Sequence, residues 1–303
     1  VSGGRDSMAL LYHIIYNARA YNIYIYAVNC DHSIRGEESV RDSEFVAAVC
    51  KANGIPLYFF KAEEKLSSEE AARRWRYSCF EKLISENKCD FVATAHHLGD
   101  TAETVLFNLA RGSSLAGLTG IGDDFARGIV RPMKDTSPEE IEKFVKEHHI
   151  DFVTDSTNCE DDYTRNKIRH SVLPALAAAV DGAVGNVCRF ASLAREDEEF
   201  LSRLAETYIQ PIEAADGKEG GSGWLILPCE ERVIFKRAAR KVVKAMGKRD
   251  YTAVQLETLF KLQGLATGKK FEFLGLVATK RKNGVFVQFD ESFGDPSSKQ
   301  AKK

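Results

Sequence analysis

Short apolar runs alternate with amphipathic helical stretches through the first half of the chain. The apolar runs are rich in Ile, Val, Tyr and Phe and occupy residues 23–28, 57–60 and 91–95. The helical stretches occupy residues 6–20, 37–53, 68–86 and 100–111. Strands that alternate with helices form parallel βαβ units, in which helices cover both faces of one sheet. We therefore predict an α/β fold with a doubly wound, mainly parallel sheet.

A change of composition divides the chain near residue 216. Residues 217–223 are rich in Gly and typical of a flexible linker. Residues 221–303 carry 17 Lys and Arg against 8 Asp and Glu, whereas the rest of the chain carries 25 against 36. The 303 residues fit about two domains of roughly 100–200 residues each. We predict a first domain over 1–183, a connecting helix over 184–216 and a smaller, basic α/β domain over 217–303.

The composition argues against a membrane protein and against a disulfide-stabilised secreted domain. No stretch of about 20 apolar residues is present. The seven cysteines include no Cys-x-x-Cys pair, which indicates reduced thiols in a cytoplasmic protein. A parallel sheet also needs a strand that leads into the turn at residue 2. Because Val1 is the last residue that such a strand would have, we expect the sequence to be trimmed there.

The opening residues place a glycine-rich turn directly before a helix. Two glycines let the backbone approach a ligand, and the N-terminus of the next helix adds partial positive charge. The turn therefore suits a phosphate, although it is not a phosphate loop of the GxxxxGK[ST] type. The alternative is a tight strand–helix connection without a ligand. The candidate phosphate-binding residues are Ser2, Gly3, Gly4, Arg5, Asp6 and Ser7.

Polar residues follow two of the predicted strands, at the sheet edge where open α/β folds bind ligands. His96, Asp100 and Glu103 share one helical face, where such groups can hold Mg²⁺, bind an ammonium group or accept a proton. The alternative is a solvated helix start, since acidic residues favour the first turn. The strand predicted over 23–28 is also followed by a set of polar residues. The alternative for this set is again an ordinary helix start. Its members are Asp31, His32 and Arg35.

Cations cluster in two later segments. Arg165, Asn166 and Arg169 suit RNA, because guanidinium groups grip phosphates and an amide reads a base edge. The helix predicted over 230–246 has apolar residues at 233, 234, 238, 242, 243 and 246 and a cationic opposite face, which fits a phosphate backbone. The alternative in both segments is a charged, solvated surface. The nucleic-acid candidates on the helix are Lys236, Arg237 and Arg240.

These strings resemble those of a known superfamily. Residues 2–7 resemble the SGGxDS phosphate loop of the N-type ATP pyrophosphatases, the PP-loop superfamily. Residues 29–39, 94–104 and 109–118 resemble the DHxLRxxS, HHxxDQAET and RGSGLxGL segments of the tRNA(Ile)-lysidine synthetases, with Ile34 in place of Leu and Thr101 in place of Gln. Residues 155–174 resemble the DxSNxxxxYxRNxIRxxxxP segment, which is typical of that family and which relatives such as GMP synthetase lack.

The resemblance implies an adenine nucleotide α-hydrolase-like fold, with ATP and Mg²⁺ as cofactors and two substrates. It implies that ATP adenylates the C2 oxygen of the wobble cytidine in the CAU anticodon of tRNA(Ile), and that free L-lysine then displaces AMP to give lysidine. A homodimer is left open. Candidate nucleotide ligands are Ser2, Gly3, Gly4, Arg5, Asp6, Ser7, Asp31 and His32, with the metal on Asp6 and Asp100.

The resemblance also suggests roles for single residues. The metal is expected on Asp6 and one of Asp100 and Glu103, and the other carboxylate is expected to position the lysine ammonium. His96 is expected to accept a proton from the attacking amine, since a neutral imidazole suits that task. Arg76 matches an arginine near the nucleotide phosphates. The expected tRNA contacts are Arg35, Arg111, Gly112, Arg165, Asn166, Arg169, Lys236, Arg237 and Arg240.

Three other functions are weighed against this one. A tRNA 2-thiolase of the same superfamily is disfavoured because such enzymes generally rely on cysteine pairs, which this chain lacks. A small-molecule synthetase would not need the basic C-terminal region. A non-catalytic RNA-binding protein would leave the glycine turn without a task.

Overall fold

The computed structural model describes residues 1–32, 37–63, 66, 68–154, 164–213 and 222–290. The chain divides into two compact units, Val1–Arg195 and Glu196–Lys303. The boundary falls inside one helix, which therefore contributes residues to both units. Each unit is described by itself below.

The first unit has an α/β architecture with parallel strand pairing, as predicted. Strand β1 pairs in parallel with β2, and β3 pairs in parallel with β4. Among the described residues, the hydrogen bonds join these strands into two separate pairs. The elements are α1 (Arg5–Ala18), β1 (Ala27–Asp31), α2 (Glu37–Ala52), β2 (Leu57–Lys61), α3 (Glu69–Ser85), β3 (Val92–Ala93), α4 (Leu98–Ala110), β4 (Ile129–Val130), α5 (Pro138–Glu147), α6 (Thr164–Lys167), α7 (Leu173–Ala179) and α8 (Ala183–Glu206).

Two predicted elements of this unit differ from the structure. The first strand begins at Ala27 rather than at residue 23, because its partner begins at Leu57, which is paired with Ala27. Tyr24 ahead of it is 85% exposed, so its large apolar ring does not mark a core strand. The Gly and Ser content of residues 112–135 predicts a loop, whereas the structure has strand β4 within this segment. A two-residue strand is too short to produce a periodic pattern.

Serine side chains cap the starts of two helices. Ser68 caps α3 and accepts a hydrogen bond from the N–H of Ala71. Ser137 caps α5, and a reciprocal pair of bonds joins it to Glu140. Met8 and Leu11 on the buried face of α1 share a core cluster with Ile141 of α5. This packing fixes the direction in which the glycine turn enters α1.

The second unit is a five-stranded antiparallel sheet covered by two helices. The strand order is β5-β6-β9-β8-β7, and Phe235, Leu259 and Val285 lie in the core between sheet and helices. The predicted connecting helix ends at Glu206, earlier than expected, because Pro211 cannot donate a helical hydrogen bond and suits the edge strand β5. The elements are β5 (Ile209–Ile212), β6 (Gly223–Ile226), α9 (Arg232–Ala245), α10 (Ala253–Leu262), β7 (Lys270–Phe273), β8 (Leu276–Arg281) and β9 (Gly284–Phe289).

No single helix in the described part of the chain is long and apolar enough to cross a membrane. One pair of helical segments meets the length and composition requirement only when the two are taken together. The pair consists of Thr164–Ala179 and Ala183–Glu206, and the angle between the two segments is 101°.

Candidate active site

The glycine turn forms a compact loop ahead of α1. Gly3 has a φ of 89°, a left-handed conformation that side chains rarely adopt. The Ser7 hydroxyl donates to the carbonyl of Gly4 at 2.9 Å and accepts from the N–H of Ser2 at 3.2 Å. No side chain caps α1 at Gly4. The first N–H groups of this helix are therefore not covered by a capping side chain, which suits an anion.

His97 links the glycine turn to the start of α4. Its Nε2 lies 3.6 Å from the carboxylate of Asp6 and 3.6 Å from that of Asp100. Its Nδ1 accepts a hydrogen bond from the N–H of Gly99 at 3.0 Å, and Asp100 accepts one from the N–H of His97. Burial opposes a charge on this imidazole, but the nearby carboxylates of Asp6 and Asp100 raise its pKa above the usual value. His97 thus bridges two carboxylates from distant segments.

Arg169 joins the same group from a π-helical turn over Ile168–Val172. Its Nη2 donates to Asp100 at 3.0 Å and to Glu103 at 3.0 Å, and its Nε also donates to Glu103. Glu103 is buried, and this burial raises the pKa of its carboxyl group despite the guanidinium beside it. The sequence assigned Arg169 to RNA, whereas the structure places it on the two acidic residues of α4.

The metal assignment can be tested against this geometry. Asp6 and Asp100 approach the same nitrogen of His97, so carboxylate oxygens from two segments converge. Mg²⁺ is commonly held by one or two carboxylates together with substrate phosphates. The described residues contain no cluster of three or more protein ligands for a metal ion. Two converging carboxylates beside a phosphate-suited turn fit Mg²⁺ that arrives with a nucleotide.

His96 precedes α4 and is therefore not on the helical face that carries Asp100 and Glu103, in contrast to the prediction. Its Nδ1 is 2.9 Å from the Thr94 hydroxyl. Burial lowers the pKa of His96 to about 4, and the charges of Arg131 and Arg73 act in the same direction. A pKa of about 4 leaves the imidazole neutral at pH 7 but only weakly basic, and its role as a proton acceptor stays a prediction.

All the predicted nucleotide residues except the buried Gly3 line one cavity of the first unit. Asp31 is buried at the end of β1, and the rings of His32 and Trp75 meet edge to face with their centroids 5.6 Å apart. Asp31, His32 and Arg76 line the same cavity as Ser2 and Gly4. Arg35 lies outside the described residues.

Three of the residues predicted to contact RNA lie near the end of α4. The guanidinium groups of Arg111 and Arg165 lie over the ring of Phe107, at 5.0 and 5.3 Å from its centroid. Gly112 follows with a φ of 71°, which ends the helix. Asn166 lines the cavity of the first unit. Phe107 was not predicted as a site residue, because an isolated aromatic on an amphipathic helix is typical of core.

The cationic face of α9 is largely occupied by ion pairs. Arg237 is buried, and its guanidinium pairs with Glu198 and donates to the carbonyl of Val233 at 3.1 Å. It is therefore a structural residue of the second unit rather than part of an exposed face. Lys236 pairs with Glu257, whereas Arg240 has no carboxylate within 4 Å among the described residues. Val233 is 51% exposed and does not belong to the apolar face as predicted.

The residue that sequence reasoning missed is His97. Two adjacent histidines precede α4, and the sequence does not indicate which of them turns towards the glycine turn. The only local signal is the spacing of a capping pair, with His97 at the N-cap position and Asp100 three residues later. Histidine is not a favoured N-cap residue, so this signal is weak.

Comparison with known proteins places the first unit in a family. Residues 1–176 match the PP-loop domain model. A U34-tRNA thiolase from Methanococcus maripaludis, with a [4Fe-4S] cluster, has a similar fold, with a TM-score of 0.53 and 19% identity over 64% of this chain and 70% of that chain.

Several curated relatives are named tRNA(Ile)-lysidine synthase. That of Caldanaerobacter subterraneus is 34% identical over 96% of this chain and 61% of its own length. That of Bacteroides thetaiotaomicron is 43% identical over 58% of this chain and 42% of its own length. That of Bacillus subtilis is 37% identical over 70% of this chain and 47% of its own length. The chain thus spans less than two thirds of these relatives. Because the domain model matches more than half of its 303 residues, the chain belongs to the PP-loop domain family.

Proposed function

We propose that this protein ligates lysine to C2 of the wobble cytidine in the CAU anticodon of tRNA(Ile), with ATP as the energy source. One observation carries the proposal. Asp6, Asp100 and Glu103 converge beside a glycine turn, in a chain that is 34% identical over 96% of its length to a tRNA(Ile)-lysidine synthase. This site combines a phosphate-suited turn, hard metal ligands and a carboxylate that can hold a cation.

The first step requires ATP close to the glycine turn. Ser2 to Ser7 would hold the phosphates through backbone N–H groups, helped by the positive end of α1. Asp6 and Asp100 would hold Mg²⁺, which supplies positive charge for the leaving pyrophosphate. The C2 oxygen of cytidine attacks the α-phosphorus, the bond to the β-phosphate oxygen breaks, and pyrophosphate leaves.

The second step requires lysine close to the adenylated base. The buried carboxylate of Glu103 accepts hydrogen bonds from the guanidinium of Arg169, and this contact supports a role for Glu103 in holding a cation. We assign it to the lysine ammonium. The free amine attacks C2, the C2–oxygen bond breaks, and the oxygen leaves with AMP. The proton released by the amine passes to a base, for which His96 is the candidate.

RNA would lie against the cations at the end of α4. Arg111 and Arg165 present two guanidinium groups over one aromatic ring, and Asn166 lines the adjoining cavity. The other tRNA contacts expected in this unit are Arg35, Gly112 and Arg169. Those expected in the basic second unit are Lys236 and Arg240. A cytoplasmic location and a homodimer also stay predictions, as do the predicted domain boundaries.

Lysine transfer to RNA tests the proposal directly. The protein is incubated with Mg-ATP, labelled lysine and a tRNA that carries a CAU anticodon, and the acid-precipitable label is counted. We expect label that survives mild alkaline deacylation, because lysine is then bound to a base rather than to a terminal ribose. ATP consumption with RNA but no lysine label would instead indicate another tRNA-adenylating enzyme, such as a thiolase.

The role of the acidic group is tested by Asp100→Asn. This change keeps the size of the side chain but removes the charge expected to hold Mg²⁺. We expect transfer to fall by about 100-fold or more, the loss typical of removing one transition-state electrostatic contact. Asp181→Asn is the matched control, because Asp181 is exposed and does not line the cavity. Full transfer by Asp100→Asn would contradict the assignment.

A further inference from the structure

We propose that Arg73, held in place by Tyr77 and Arg131, binds an oxyanion of a substrate. The oxyanion is either the carboxylate of the free amino acid, an option that rests on the proposed function, or a phosphate oxygen of the nucleotide. Neither Tyr77 nor Arg131 carries a role in the reaction described above.

Tyr77 is a buried junction between two guanidinium groups. Its hydroxyl oxygen accepts from Arg73 Nη2 at 3.3 Å and from Arg131 Nη2 at 3.3 Å. A phenolic oxygen has at most two lone pairs, so both are used, while its O–H stays a donor. No described residue accepts a hydrogen bond from this O–H. The junction therefore offers donors and no free acceptor.

Arg131 adds a buried cation to this junction. It is only 7% exposed, and its Nη1 donates to the carbonyl of Gly122. Its Nε is buried, and no acceptor within the described ranges reaches it. Asp123 accepts from the backbone N–H of Arg131 through one carboxylate oxygen and pairs with Lys134 through the other. The charge of the Arg131 guanidinium is thus only partly compensated, and an uncompensated buried charge is costly.

Arg73 is the accessible member of the group. It lies four residues before Tyr77 on α3, and its guanidinium stacks over the tyrosine ring at 5.0 Å. Within the described part of the chain, no carboxylate lies within 4 Å of it. Arg127 stacks over the same ring at 5.3 Å, but Glu81 neutralises it. Of the two stacked guanidinium groups, Arg73 is therefore the one without an anionic partner among the described residues.

The position of Arg73 connects it to the site. Arg73 and Tyr77 line the same cavity as Ser2, Gly4 and His96. The positive charges of Arg131 and Arg73 lower the pKa of His96, whereas the charge of Asp100 acts in the opposite direction. His96 therefore lies within reach of a cationic group and an acidic group. An amino acid carries both a carboxylate and an ammonium group and would match this pair, and a phosphate would match the cationic side alone.

Binding measurements on Arg73→Gln test the proposal. Arg74→Gln is the matched control, since Arg74 is the next residue on the same helix and is exposed. Isothermal titration calorimetry is carried out with three probes: a non-hydrolysable ATP analogue, L-lysine and L-lysine amide, which lacks the carboxylate. We expect Arg73→Gln to raise the Kd of the ATP analogue or of lysine at least tenfold, and Arg74→Gln to leave both unchanged.

The three probes separate the two sources of the oxyanion. If the carboxylate is bound, lysine binds the wild type more tightly than lysine amide does, and Arg73→Gln removes this preference. If a phosphate is bound, only the ATP analogue weakens. Equal Kd values for Arg73→Gln and Arg74→Gln with all three probes would overturn the proposal. These Kd values do not depend on whether the wild type transfers lysine to RNA. Failure of the Arg73 proposal is therefore distinguishable from failure of the proposed function.

Two further variants guard against loss of folding and test the positioning role. Arg73→Lys keeps the charge but loses the planar fork, and we expect a smaller loss of affinity for the same probe. Tyr77→Phe keeps the ring beneath Arg73 but removes the hydroxyl that holds it. We expect binding of the same probe to weaken. A fall of several degrees in melting temperature is also expected, because Arg131 loses a buried acceptor, so the titrations are made well below the unfolding transition. Wild-type affinity in both variants would contradict the role of the junction.

Discussion

At the scale of single residues, Arg169 shows how a charged side chain can satisfy a buried acid. Glu103 is 7% exposed and receives two hydrogen bonds from one guanidinium. A buried carboxylate that loses such a partner retains its desolvation cost without compensation. The contact therefore stabilises the first unit independently of any role in catalysis.

Arg169→Gln is expected to destabilise the protein, because the amide cannot replace the charged, forked contact with Glu103 and Asp100. We expect a loss of about 1–3 kcal/mol, which corresponds to a fall in melting temperature of several degrees. Differential scanning calorimetry measures it. Arg189→Gln is the control, because Arg189 is exposed and bonds only to Asn186 three residues earlier among the described residues. Equal melting temperatures would show that the contact contributes nothing.

At the scale of elements, the carboxylate of Asp123 stabilises the segment that contains β4. Asp123 accepts from the N–H of Arg131 at 2.7 Å and pairs with Lys134 at 2.5 Å. Burial alone would raise the pKa of Asp123, but the bond from Lys134 and the Arg131 N–H outweigh it and lower the pKa. These contacts hold a segment that its composition marks as loop.

This lowered pKa makes the stability pH-dependent. A carboxyl group with a lower pKa in the folded state contributes stability above its unfolded pKa of about 3.9, and this stability is lost as the pH falls through the folded value. Asp123→Asn should therefore cost about 1 kcal/mol at pH 7, and the difference from wild type should shrink below about pH 4. Urea unfolding across this range measures it. Asp124→Asn, which removes a 3.9 Å contact with Arg127, should change stability less at every pH.

At the scale of the whole molecule, the two units differ in charge. In the second unit, Glu257, Glu198 and Glu206 neutralise much of the basic helix α9. Burial lowers the pKa of Lys244, and the neighbouring charges of Arg240 and Arg249 act in the same direction. These three cations therefore lie close together. In the described residues none of the three has a carboxylate within 4 Å.

The triple change of Arg240, Lys244 and Arg249 to Gln is expected to weaken binding to tRNA and to make it less sensitive to salt. Removing one cation that binds a phosphate reduces the slope of log K against log salt by about 0.9 for duplex nucleic acid and about 0.7 for single strands. We expect the slope to fall by roughly 2–3. Filter binding across a salt series measures it. Arg232→Gln, whose charge pairs with Glu257, is the single-site control. An unchanged slope in the triple variant would exclude this cluster as a phosphate-binding surface.

The amino-acid sequence by itself determined the features that depend on neighbours along the chain. The Ser137 cap with Glu140, helix α10 over Ala253–Leu262 and the glycine turn all follow from local spacing. Only the tertiary structure decided that His97 rather than His96 bridges Asp6 and Asp100, and that Arg169 reaches an acid 69 residues away. Local hydrogen bonds leave a pattern in the sequence, whereas a contact between distant residues depends on how whole helices pack and leaves none.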